Sequence, residues 1–138
     1  MTCACKKKLV LGFTMMLSKE SPQMLFDIIM TRFPKNYNPL IIYDNSCKLK
    51  EFGLNREPGR FMNLQITTDK FHEINHIACS DSFKSSMYDD LDKANTQACE
   101  QTNRDLRKIN KSTTFMKTDM YLNAFKFFMA HLNLNKNG

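Results

Sequence analysis

The sequence contains no uninterrupted apolar run of the roughly 18 residues that a membrane-crossing helix needs. Its longest apolar stretches, Leu9 to Leu17 and Leu40 to Tyr43, are short and interrupted. A membrane-spanning protein is not expected. Lys6, Lys7 and Lys8 ahead of Leu9 imitate the start of a secretory signal. Thr14 breaks the apolar stretch, however, Met-Leu-Ser-Lys-Glu follows it, and no cleavage site of the A-x-A kind appears. There is no internal repeat and no low-complexity segment, which argues against a solenoid or a linker-like chain. Nor is there a long basic block: the net charge of +6 is dispersed. Such charge is compatible with nucleic acid, but it does not separate DNA binding from a solvated basic surface.

What is present fits one globular domain spanning residues 1–138, with 42% hydrophobic and 25% charged residues around one core. Five cysteines are an odd number, and those near histidines point to metal chemistry in a reducing compartment, cytoplasmic or nuclear, over a disulfide framework.

Lys8 to Leu17 reads as an extended apolar segment. Ser21 and Pro22 then form an N-cap and first-turn pair for a helix with Met24, Leu25, Ile28 and Ile29 on one face, ended by Pro34. Leu40 to Asp44 has the pattern of a buried strand with a carboxylate at its C-terminal edge. Strand, helix, strand predicts a parallel pair joined by a right-handed crossover. Glu51 to Gly59 is expected to be a loop, leading into the weakly alternating segment Phe61 to Thr68. Ser85 to Asn95 is acidic and loop-like, and Thr96 to Asn110 is compatible with a helix. Thr114 to Leu134 reads as a further helix, packing through Met116, Met120, Phe127, Phe128 and Leu132.

Three residues carry the strongest chemical signal. His72 and His76 lie four apart and Cys79 three further on, so a helix through them would present all three to one ion. Cys47, just after the strand end, is the natural fourth ligand, and a Cys2His2 set suits zinc. Two surface histidines and two buried thiols are the bland alternative. Cys3 and Cys5 form a CxC near a terminus, where such a pair is more often incidental. Asp44 and Glu100 form a second constellation: a strand-end carboxylate and one on a later helix can together hold magnesium for phosphodiester chemistry. A turn residue and a solvated helix residue would read the same way.

The strings IIYDNSCKLKEFGLNREP, DKFHEINHIACSDSF and NTQACEQTNRDLRKI, in that order, resemble the DDE-type transposases of the Kyakuja-Dileera-Zisupton group and their domesticated relatives. The likeness runs from about Gly12 to Leu134. It implies an α/β fold with an α+β tendency: a truncated RNase-H-like core with a zinc-binding insertion and C-terminal helices. In such a core three carboxylates hold two divalent metals for attack on DNA phosphates. By the resemblance Asp44 would be the second carboxylate and Glu100 the third, with Cys47, His72, His76 and Cys79 holding structural Zn2+ between them.

Nothing before Lys8 corresponds to the strand that bears the first carboxylate, and Glu100 sits in ACEQ without a Gly-Glu lead-in. The expectation is therefore a nuclear or cytoplasmic, zinc-stabilised domain that binds DNA or a protein partner and lacks catalysis of its own. One alternative is a Mg2+-dependent nuclease using Asp44, Glu100 and a third ligand such as Asp27, Asp69 or a partner residue. Another is a zinc-bearing protein-interaction module unrelated to DNA.

Overall fold

The computed structural model of the chain describes residues 2–4, 10–13, 19–77, 79–92 and 97–135. In order these form β1 (Thr2–Ala4), β2 (Val10–Phe13), α1 (Pro22–Arg32), β3 (Ile41–Ile42), α2 (Ser46–Leu54), α3 (Pro58–Phe61), β4 (Ile66–Thr67), α4 (Asp89–Asp92), α5 (Ala98–Thr113) and α6 (Thr118–Leu134). Three short 3-10 turns, Glu73–Asn75, Asp81–Phe83 and Ser85–Met87, lie between β4 and α4. The architecture is mixed α and β, mostly helical with little sheet. Among the described residues no helix is long and apolar enough to cross a membrane. The chain forms two compact units, residues 16–94 and residues 1–15 with 95–138.

In the unit of residues 16–94, α1 starts where the sequence says it should. The Ser21 hydroxyl accepts the Met24 N–H at 3.4 Å, and Pro22 occupies the first turn, where its missing N–H costs nothing. The helix stops at Phe33, which is extended (φ −108°, ψ 130°) because the ring of Pro34 disfavours a helical residue before it. Ile29 carries the buried face.

The strand pairing differs from expectation. β3 pairs in parallel with β4, Ile41 opposite Ile66 and Ile42 opposite Thr67, while β2 pairs antiparallel with β1. The N–H groups of Ile41 and Tyr43 donate to the carbonyls of Gln65 and Thr67 at 3.0 and 2.9 Å. Burial accounts for the choice. Ile66 and Thr67 are both buried, as the strands of parallel sheets generally are, whereas Leu11 of β2 is 66% exposed.

The stretch expected as a loop is largely helical. Ser46, Leu49 and Gly53, three and four residues apart, make one buried face of α2. Gly53 is no loop signal here: a Cβ at that position would overlap the Phe61 ring, so its absence lets α3 close directly onto the α2 backbone. Phe61 is fully buried and stacks on Phe26 with ring centroids 5.4 Å apart, and Phe52 meets Phe26 edge-on at 5.5 Å. Burying one such ring stabilises by about 1.5–3 kcal/mol relative to leaving it in water. The Lys50 ammonium reaches back from α2 to donate to the carbonyls of Phe61 and, at 2.7 Å, Leu64, satisfying acceptors where the chain leaves α3. Ile29, Leu49, Leu64, Ile66 and Tyr43 complete this core.

In the other unit β1 and β2 form a two-stranded ribbon, Thr2 opposite Phe13 and Cys3 opposite Gly12. Phe13 packs edge-on against Phe125 of α6 at 4.9 Å, and Tyr121 stacks on Phe125 at 5.7 Å. Tyr121, Phe125 and Met129 follow one another at spacings of four, the helical repeat of an inward stripe, with Phe128 and Leu132 half-buried beside it. Phe127 and Met120, expected in the packing, fall off that stripe and are exposed, Phe127 by 78%.

Candidate metal centre

Two segments of the 16–94 unit supply the chemistry-bearing side chains. The first is the β3–α2 junction, which bears Asp44 and places Cys47 in the first turn of α2. The second runs from Asp69 to Cys79. A continuous helix through His72, His76 and Cys79 does not form there; one 3-10 turn, Glu73–Asn75, is flanked by bends. Asp69 opens that turn as a cap, its Oδ1 accepting the backbone N–H groups of Phe71 at 2.8 Å and His72 at 3.0 Å. The turn ends at His76, whose backbone (φ −105°, ψ 41°) is not helical. Glu73 then ties the segment to the following one: it accepts from the Ser85 hydroxyl at 2.7 Å and from the Ser86 N–H and hydroxyl at 3.0 and 2.7 Å.

Three of the four predicted ligands come together in spite of the missing helix. The His76 Nδ1 lies 3.3 Å from the Cys79 Sγ and 3.7 Å from the Cys47 Sγ, and the three atoms are all within 4.8 Å of one another. A bend in which the Cys79 N–H donates to the His76 carbonyl at 3.1 Å makes the approach of these two possible. Zinc bonds of about 2.3 Å to sulfur and 2.0–2.1 Å to nitrogen at tetrahedral angles require sulfur-to-nitrogen edges of about 3.5 Å. The two observed edges bracket that value. This group could hold a metal ion. The neighbouring Cys47 thiol and, after it, burial push the Cys79 thiol above its ordinary value. Binding a metal here would displace a proton from that thiol.

His72 stands apart from the three. Its Nδ1 is 2.8 Å from the Asp69 Oδ2 and 3.5 Å from the Asp44 Oδ1, and its ring meets the edge of Phe71 at 5.3 Å. Asp44, Asp69 and His72 form a second close group. The Asp69 side chain is buried, at 5% exposure, and that of Asp44 is open to water at 53%. Asp44 makes its surroundings more negative. Burial first and Asp44 second push the Glu20 carboxyl up, and burial, Glu20 and Asp44 push the Tyr43 phenol up to about 12.

No protein-family model matches the chain, and no curated protein or solved structure matches it.

The remaining candidates are placed individually. Glu100 is exposed in the first turn of α5, in the other unit. Asp27 is exposed on α1, where it accepts from the Gln23 amide at 3.4 Å. Cys3 lies in β1, and Cys5 lies outside the described residues. Sequence reasoning named Asp69 only as a spare carboxylate and gave Glu73 no role. The signal for Asp69 was its spacing: an aspartate three residues before a histidine can cap a turn and take that histidine's ring at once.

Proposed function

We propose that this chain is a transposase-derived domain of RNase-H-like ancestry whose 16–94 unit is held by structural zinc, and that it acts by binding DNA and not by cutting it. The convergence of Cys47, His76 and Cys79 at zinc-compatible edges carries the proposal. Thiolate and imidazole together suit zinc's borderline softness, and a structural zinc site is closed by one further protein ligand beside these three. The family resemblance supplies the ancestry, and the net charge of +6 supports the DNA partner.

Metal analysis of the purified protein tests the core of this. About one zinc per chain is expected, lost in Cys47→Ser and in Cys79→Ser. A folded wild-type protein without metal would defeat it. Titration with nonspecific duplex DNA tests the partner: binding that weakens steeply with added salt is expected, because phosphate contacts release counterions. Salt-independent or absent binding would favour the protein-interaction module. Plasmid nicking in Mg2+ that disappears in Asp44→Ala would favour the nuclease.

A further inference from the structure

We propose that Cys47 and Cys79 are an oxidation site: hydrogen peroxide joins them as a reversible disulfide, and that bond and a metal ion exclude each other. The exclusion of metal rests on the zinc reading above; the bond itself needs only the placement of the two sulfurs. Cys47 is the second residue of α2, a helix seated on the core through Leu49. Cys79 is brought over by its own turn, with its N–H on the His76 carbonyl at 3.1 Å. The two Sγ atoms and the His76 Nδ1 all lie within 4.8 Å of one another. Neither cysteine is in a disulfide, and both are part-exposed, so a small oxidant can reach them.

A disulfide needs its sulfurs about 2.05 Å apart. The closing movement falls to Cys79, because its segment is held by hydrogen bonds and exposes Ile74 and Ile77, whereas Cys47 is fixed by packing. Peroxide supplies the whole oxidation. One sulfur attacks a peroxide oxygen; the S–O bond forms as the O–O bond breaks, and the departing hydroxide takes the thiol proton and leaves as water. The second sulfur then attacks the sulfenic sulfur; the S–S bond forms as the S–O bond breaks, and the hydroxide takes the second thiol proton as another water. Two thiols lose two electrons between them, and one hydrogen peroxide becomes two waters. The bonded sulfurs no longer offer the thiolates that zinc requires, which leaves His76 alone of the three groups.

The full chain, stripped of metal by a chelator and treated with hydrogen peroxide, tests the bond. Trypsin cuts after Lys35, Lys48, Lys70 and Lys84, so residues 36–48 and 71–84 each carry one of the two thiols. These two peptides should form the main cross-linked product, two hydrogens lighter than the separate pair, and dithiothreitol should restore both thiols. Cys47→Ser and Cys79→Ser should each abolish the link, and Cys99→Ser should leave it unchanged. The preference for this pair should vanish in guanidinium chloride. Oxidation that leaves both thiols intact, carries them to sulfinic acid without a link, or joins them chiefly to Cys3, Cys5 or Cys99 overturns the proposal. So does an equal preference for the pair in denaturant, since the fold would then not build the site. Zinc added before the peroxide should slow the link severalfold, and the oxidised chain should take up none until it is reduced. A link that forms equally fast with zinc leaves the oxidation site standing and removes the zinc reading instead.

Discussion

The two segments that meet at the candidate metal centre are ordered by different means. Cys47 stands on α2, a helix seated on a hydrophobic core through Leu49 and through the contact of Gly53 with Phe61. His72, His76 and Cys79 stand on a turn whose apolar residues Phe71, Ile74 and Ile77 are all exposed, Ile77 by 91%. That turn is shaped by polar contacts, Asp69 at its start and Glu73 in its middle. Cys47 thus comes preset by packing, and the side chains on the turn depend on hydrogen bonds worth only about 0.5–1.5 kcal/mol each, somewhat more where a charge takes part. Zinc should matter far more to the second segment than to the first.

Removing the metal tests this contrast most severely. Chelation should lower the melting temperature by more than about 10 °C, since structural zinc contributes folding free energy of order 10 kcal/mol in small domains. Hydrogen exchange should rise first in residues 69–79 and only later in α2; equal loss in both would erase the distinction. Attacking α2 instead, Phe61→Ala should cost about 3–5 kcal/mol in chemical denaturation, the range for an emptied aromatic core position.

Gly53→Ala should cost about 1–3 kcal/mol by overpacking, because the Phe61 ring must shift. Combined with Phe61→Leu it should cost less than the sum of the two, the sign of a shared contact. On the polar side, burial raises the Glu73 carboxyl, but the hydrogen bonds from Ser86 and Ser85 outweigh it and leave the group below its ordinary value of 4.5. A carboxyl depressed in the folded state adds stability above its unfolded value and loses it as pH falls through the folded one. Glu73→Gln should therefore flatten the stability profile below about pH 4.5 and leave its slope near neutrality unchanged. At the bottom of the scale, Ile77→Ser should change stability by no more than about 0.5 kcal/mol. A larger loss would mean that the turn is packed after all.

The same contrast explains how far the sequence could be read. α1 was legible because its signals are local: Ser21 and Pro22 open it and Pro34 closes it. The helices of residues 98–113 and 118–134 were legible from length and composition, though the inward stripe of the second turned away from Phe127. α2 was not, because Asn45 makes no side-chain cap bond and Gly53 looks like punctuation until Phe61 is placed against it. The pairing of β3 with β4 joins strands of two residues each, too short to show a period, so the longer apolar segment at residues 8–17 looked like the better partner. At the site, spacing found His76 and Cys79 for a partly wrong reason, and Cys47 was found by its place just after the strand end. The spacing assumed a continuous helix, whereas the helical turn that Asp69 caps ends at His76, and His76 and Cys79 meet across a further turn.

Cys47 and His76 are separated by 29 residues, and that interval has a consequence in the unfolded chain. Free ends of that separation wander over many arrangements, and a bond that ties them removes that freedom whatever the folded contacts are worth. By the scaling used for cross-links, closing a loop of this size is equivalent to roughly 3–4 kcal/mol of chain entropy at room temperature. A metal that first catches one thiolate and one imidazole would thus pre-collapse the stretch containing α2, α3 and β4. The packing of α3 onto α2 would then form inside a ring already closed, with most of its search behind it.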